Sequence, residues 1–299
     1  MPPVRVAGLL LRRSVLTVAL AALLVAGCGE GNDRRAEVAD GPARTATPAA
    51  RSATTTTTTP PGPPQAASTP EALAAQLVEV ETAIRNPSTP DSALPRLGHT
   101  QQVIYRALVL HPEWQADVLA RLPANLRSVA EANTAAGTDL RVLSSSEPRP
   151  LPKWHIVAPP PAAELLGEYR RAEAATGVPW QYLAAINLVE TKMGRIRGDS
   201  SAGAQGPMQF LPSTWETYGA GGDINSYRDA IAAAGRLLKA NGAPSNMAGA
   251  LFAYNNSNRY VRAVTAYAEQ MRADERAYLG YYHWQVYYFD TWLPEGWVG

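Results

Sequence analysis

From Tyr182 to Val189 the chain reads Tyr-Leu-Ala-Ala-Ile-Asn-Leu-Val, apolar on nearly every face of a helix. Such a helix has no side to give to water, so other elements must surround it. Val178-Pro179 opens the segment and Gly194 closes it, with proline just inside the start and glycine just past the end. Glu190 falls in the last turn, seven residues after Leu183 and four after Ile186. Loss of solvent and the negative end of the helix dipole both favour the neutral acid there and raise its pKa. A carboxyl group kept protonated near neutral pH is suited to general acid catalysis. The same residue also reads as a glutamate paired with Lys192, Arg195 or Arg197 at a fraying helix end.

Helical spacing dominates elsewhere. Thr69-Pro70-Glu71 is a helix start, followed by Leu73, Leu77, Val80 and Ile84. Further helices are predicted around Leu94–Leu110 and Pro112–Ala136, with Leu119, Leu122, Leu126 and Val129 on one side. Ser226 and Asp229 form a capping box for a helix ending at Gly242, which makes Asp229 structural. Ser245 is read as the cap of the next helix. Ser257 is read as the cap of one running to Met271, with Val261, Val264, Ala268 and Met271 inward. No alternating apolar run argues for a sheet, so the predicted class is mostly α. The expected division is a leader over 1–27, a disordered tether over 28–70, a small helical module over 71–143, a proline-rich connection over 144–161 and a main domain over 162–299.

The first residues read as an export signal. Arg5, Arg12 and Arg13 precede an apolar stretch from Ser14 to Ala26, too short for the roughly 20 residues of a membrane-spanning helix. The stretch ends Leu24-Val25-Ala26-Gly27-Cys28, which resembles the lipobox of bacterial lipoproteins. That resemblance implies lipidation of Cys28 and anchoring to the outer face of the bacterial membrane; an ordinary secreted protein is the other reading. The Ala, Thr, Pro and Gly tract from Gly29 to Pro70 has little to bury and is expected to remain unfolded as a tether.

Charge and cysteine usage exclude several classes. Lysines and arginines number 27 against 26 acids, so the basic footprint of a nucleic-acid binder is missing. One cysteine excludes an intramolecular disulfide framework. The four histidines (His99, His111, His155 and His283) stand at no metal-ligand spacing, and neither a metal nor a cofactor is expected.

Ten residues after Glu190 begins Ser200-Ser201-Ala202-Gly203-Ala204-Gln205-Gly206-Pro207-Met208-Gln209-Phe210-Leu211-Pro212-Ser213-Thr214-Trp215. Glycines at 203 and 206 permit close backbone approach. Gln209 offers donor and acceptor together, while Phe210 and Trp215 offer flat apolar faces, a combination suited to a pyranose ring. Glu190-Thr191-Lys192-Met193-Gly194, then Gly206-Pro207-Met208-Gln209, then Ala253-Tyr254-Asn255 appear in order. Over about Tyr169 to Met271 the chain thereby resembles the catalytic domain of the bacterial lytic transglycosylases, lysozyme-like enzymes of murein. Proline at 207 departs from the commoner leucine.

The resemblance implies a lysozyme-like catalytic domain acting on peptidoglycan glycan strands. Glu190 would be the acid, and Tyr254 would hydrogen-bond near it. Gly206, the backbone around Met208, Gln209, Ser201, Phe210 and Asn255 would line the saccharide groove. It also implies cleavage between N-acetylmuramic acid and N-acetylglucosamine with a 1,6-anhydro end. Two other readings stand beside it: a hydrolytic muramidase of the goose-lysozyme kind with Asp199 or Asp223 as second carboxylate, and a surface lipoprotein that binds glycan without cutting it. The aromatic run from Tyr278 to Trp297 is read first as a packed segment and second as extra stacking platforms. His283 and Asp290 within it are assigned no catalytic role.

Overall fold

The computed structural model describes residues 62–144 and 151–299. The leader, Cys28 and most of the tether lie outside the described residues. Helices α1 (Pro70–Arg85), α2 (Leu94–Leu110), α3 (Gln115–Arg121) and α4 (Ala124–Leu143) come first. Strand β1 (His155–Ile156) leads to α5 (Ala162–Thr176), α6 (Trp180–Thr191) and β2 (Ile196–Arg197). Then follow α7 (Pro212–Tyr218), α8 (Tyr227–Ala240), α9 (Met247–Tyr254), α10 (Asn258–Ala273) and α11 (Arg276–Tyr282). A hairpin of β3 (Val286–Tyr288) and β4 (Thr291–Leu293) follows α11. The chain is mostly α, and the strands among the described residues form two short antiparallel ribbons, β1 with β2 and β3 with β4. No helix among the described residues is long and apolar enough to cross a membrane.

Local chemistry sets the helix ends. Thr69 Oγ1 accepts from the Ala72 N–H at 3.3 Å, and Ser226 and Ser257 cap α8 and α10 in the same way. Asn246, not the expected Ser245, caps α9 by accepting from the Gly249 N–H at 3.1 Å. Asp229 is structural, its Oδ2 accepting from the Asp223 N–H at 3.0 Å.

The stretches on either side of 144–161 share one hydrophobic core, which runs from Leu73 and Ile104 through Leu183 and Ile186 to Tyr281 and Trp284. Helix α4 packs most extensively against α10, and α6 also lies against α10. Polar ties between the stretches are buried too. Tyr281 Oη donates to Asn133 Oδ1 at 2.7 Å and Trp284 Nε1 to Gln101 Oε1 at 2.9 Å. Buried Glu81 accepts from Gln101, Tyr105 and Arg85. Tyr278, Tyr281, Tyr282 and Trp284 are therefore packing residues, and the exposed aromatic of the C-terminal segment is Phe289.

Candidate active site

Glu190 sits in the last turn of α6, and the backbone beyond it determines what the site can become. Lys192, Met193 and Gly194 all take left-handed φ values of 54°, 61° and 83°. Their turn returns the Lys192 and Met193 N–H groups to the carbonyls of Leu188 and Asn187 at 3.2 and 3.1 Å. The chain thus leaves α6 abruptly. Thr191 Oγ1 then donates to the Pro207 carbonyl at 2.6 Å, and Asn187 Nδ2 donates to the same carbonyl at 2.7 Å. Tyr169 Oη donates to Asn187 Oδ1 at 2.6 Å and fixes that amide. These three side chains are buried, so the glycine-containing loop is fastened to the turn that carries the acid.

The loop closes on itself through paired bonds between Gln205 and Phe210 of 2.8 and 2.9 Å. Within it the Pro207 and Met208 carbonyls bond inward. Tyr254 Oη donates to the Met208 carbonyl at 2.6 Å. Tyr254 thus holds the loop beside the acid, and the phenol that bonds the acid itself is Tyr260, whose Oη donates to Glu190 Oε1 at 2.7 Å. The two tyrosine rings lie nearly parallel, with centroids 6.3 Å apart and planes 4° from parallel. One holds the loop and its neighbour holds the acid. Burial pushes both phenols well above their usual range, so both stay protonated and donate. Sequence reasoning missed Tyr260. The signal was the inward period of α10, which is Tyr260, Ala263, Val264, Tyr267, Ala268 and Met271, with Val261 only half-buried.

Helix α10 is also held from outside. Arg259 Nη1 donates to Asp139 Oδ1 at 2.8 Å, and Arg262 donates through Nε and Nη2 to both Asp139 oxygens at 2.8 and 2.7 Å. These guanidiniums, Arg262 first, hold the Asp139 carboxyl below its ordinary range. Tyr260 is thus delivered from a helix clamped on its outer face by α4.

The Glu190 carboxyl is crowded by protein although part of the residue remains accessible. Burial pushes its pKa up to about 7, against the opposing pull of the Tyr260 hydrogen bond and the Lys192 charge. Its second oxygen, Oε2, makes no hydrogen bond to a described residue, whereas Oε1 is taken by Tyr260. None of the expected cationic partners forms an ion pair with Glu190. Lys192 Nζ donates to the Leu188 carbonyl at 3.1 Å, Arg195 to the Trp284 and Tyr282 carbonyls at 3.1 Å each, and Arg197 Nη1 to the Asn225 carbonyl at 3.3 Å. Asp199 and Asp223 are exposed and engaged by Gln205 Nε2 at 3.4 Å and the Asn225 N–H at 2.9 Å. The charge acting on Glu190 comes from Lys192 rather than from a second carboxylate.

The other expected residues divide into two groups. Gln209 is half-buried at a left-handed φ of 51°, its Nε2 donating to the Gly206 carbonyl at 3.0 Å, which leaves Oε1 open. Asn255 follows Tyr254, is nearly buried, and its side-chain amide makes no hydrogen bond to a described residue. Ser201 is exposed on the same loop, and Gly206 is half-buried. By contrast, the side chains of Met208 and Phe210 are buried. Phe210 packs edge-on against Trp215 and Tyr254, with centroids at 5.4 and 6.0 Å. It is a wall behind the loop and not a platform facing a sugar. Among the described residues no group of three or more His, Cys, Asp or Glu gathers as a metal would require.

What the arrangement can do is donate and recover one proton. Removing the Tyr260 hydroxyl tests this directly. That bond favours the charged form, so Tyr260→Phe should move the Glu190 midpoint above about 7, read by carboxyl-carbon NMR titration. An unchanged or lower midpoint would show that the bond does not tune the acid.

Compared with known proteins, the chain matches no family model, no curated protein and no solved structure.

Proposed function

We propose that this chain is a peptidoglycan lytic transglycosylase, cutting the β-1,4 bond between N-acetylmuramic acid and N-acetylglucosamine. The observation that carries the reading is a solitary carboxyl group poised near neutrality, with one oxygen held by Tyr260 and the other open. A glycosidase working by the common two-carboxylate route needs a nucleophile or base as well as an acid. Here the substrate's own 2-acetamido oxygen takes that part.

Glu190 gives its proton to the bridging oxygen as the C1–O4 bond breaks, and that bond's electron pair leaves with the N-acetylglucosamine hydroxyl. The acetamido oxygen bonds to C1 and carries the positive charge as an oxazolinium. Glu190, now a carboxylate, removes the proton from the muramic C6 hydroxyl. O6 then displaces the acetamido oxygen at C1, leaving a 1,6-anhydro end and consuming no water. Tyr260 serves both halves by bonding Oε1 whichever protonation state Oε2 has. Gln209 and Asn255 offer amide groups to sugar hydroxyls beside it. The exported, lipid-anchored location read from residues 1–28 belongs to the same proposal, since the substrate lies outside the membrane.

Mass spectrometry of muropeptides released by the purified protein is the test. Anhydro ends support the reading. Reducing ends would replace it with a hydrolytic muramidase, and binding without release would leave a glycan-binding lipoprotein.

A further inference from the structure

Lys192 is the cation least provided for near this site. It occupies the residue just after α6, at a left-handed φ of 54° that non-glycine residues seldom take, and its side chain is half-buried. Its ammonium donates to one acceptor, the Leu188 carbonyl at 3.1 Å, and no carboxylate of a described residue lies within ion-pair distance. The neighbouring cations are better supplied. Arg106 bonds the Phe289 carbonyl and pairs with Asp290 at 3.3 Å, and Arg195 has two carbonyls. An ammonium carries three donors, and two on Lys192 meet no acceptor among the described residues.

The electrostatic setting sharpens the point. Burial lowers the Lys192 pKa to about 8, the Glu190 charge opposing this and the Arg106 charge adding to it. Glu190 carries its proton at the start of the proposed reaction. In that state the negative end of α6 is the main protein feature offsetting a desolvated cation. Such a cation gains most from an anion that arrives with the substrate and fills its donors with charge-assisted bonds.

We infer that Lys192 is an anion-recognising residue of the glycan groove, contacting a carboxylate on the peptide arm of the amino sugar beside the acid. The inference rests on the proposed activity and narrows its substrate to strands that carry acidic peptides. It gives Lys192 a task separate from proton transfer. A glycan without carboxylates offers only hydroxyls and acetamido groups and brings no anion to the ammonium.

The test measures binding, so that it does not depend on cleavage. Soluble glycan strands bearing acidic peptides, and N-acetylglucosamine oligosaccharides that carry no carboxylate, are titrated into the Glu190→Gln protein with and without Lys192→Met. Lys192→Met should weaken binding of peptide-bearing strands by roughly tenfold and leave the carboxylate-free oligosaccharides unchanged within about twofold. Lys192→Arg should restore most of the loss, and added salt should shrink the difference. Equal weakening on both substrates, or none on either, overturns the inference. A wild-type protein that binds with this preference yet releases no anhydro ends would instead sink the proposed activity and leave the lysine's role standing.

Discussion

Glu190→Gln should abolish the proposed strand cleavage and leave a protein that is more stable than the parent above pH 7. The loss should be at least about a thousandfold in kcat, because the amide neither gives a proton to the leaving oxygen nor takes one from the C6 hydroxyl. The gain in stability follows from the raised pKa. Below about pH 4.5 the acid is neutral in the folded and the unfolded chain, and parent and variant should be close in stability. As pH rises from there, the unfolded chain ionises first, and the native state loses stability until the folded carboxyl ionises at about 7. Above that value the parent carries the full cost of a crowded anion, on the order of 1–3 kcal/mol, which the glutamine avoids. Thermal melts of both proteins at pH 4.5 and pH 8 check it. The difference in midpoint should open at the higher pH, and a constant difference would contradict the raised pKa. Activity of the parent should likewise fall as pH climbs past about 7.

The second large effect is expected at Gly206. Its φ is 71°, and a Cβ there would stand 1.9 Å from the Ile224 carbonyl oxygen, a backbone atom with no rotamer to move. Alanine therefore meets both a strained conformation and a clash, and the loop has to shift. Any shift pulls the Pro207 carbonyl from Asn187 and Thr191 and the Met208 carbonyl from Tyr254. We expect Gly206→Ala to cost about 3 kcal/mol, roughly 6–12 °C in Tm for a body of this size, with at least a tenfold loss of activity. Gly203→Ala, at φ 75° but with no atom within 4 Å of its added carbon, separates conformational strain from the clash. It should cost about 1 kcal/mol. Equal losses from the two substitutions would show that the Ile224 contact is unimportant.

Much of this site was legible locally. The apolar faces of α6, the position of Glu190 in its last turn, and the cap residues Thr69, Ser226 and Ser257 depend on neighbours within one or two turns. Pattern and chemistry at that range leave few alternatives. The resemblance put Tyr254 near the acid without naming its partner, the Met208 carbonyl 46 residues away, which no local pattern supplies. Phe210 illustrates another limit. The sequence offers its ring as a flat face for a sugar, and only its burial and its contacts with Trp215 and Tyr254 show it packed behind the loop.

Length and periodicity made a helical body with one buried central rod unavoidable, and desolvation at the end of that rod raises the pKa of its glutamate. Which phenol would hold that acid was decided by the way α10 crosses α6, a contact spanning 70 residues. The merging of the N-terminal helices into the same core was decided likewise, by Asp139 clamping α10 and by buried tyrosines reaching across. The physical reason is common to both. Capping and periodicity act within a turn or two and are written in adjacent residues, whereas the angle between packed helices emerges from all their side chains at once.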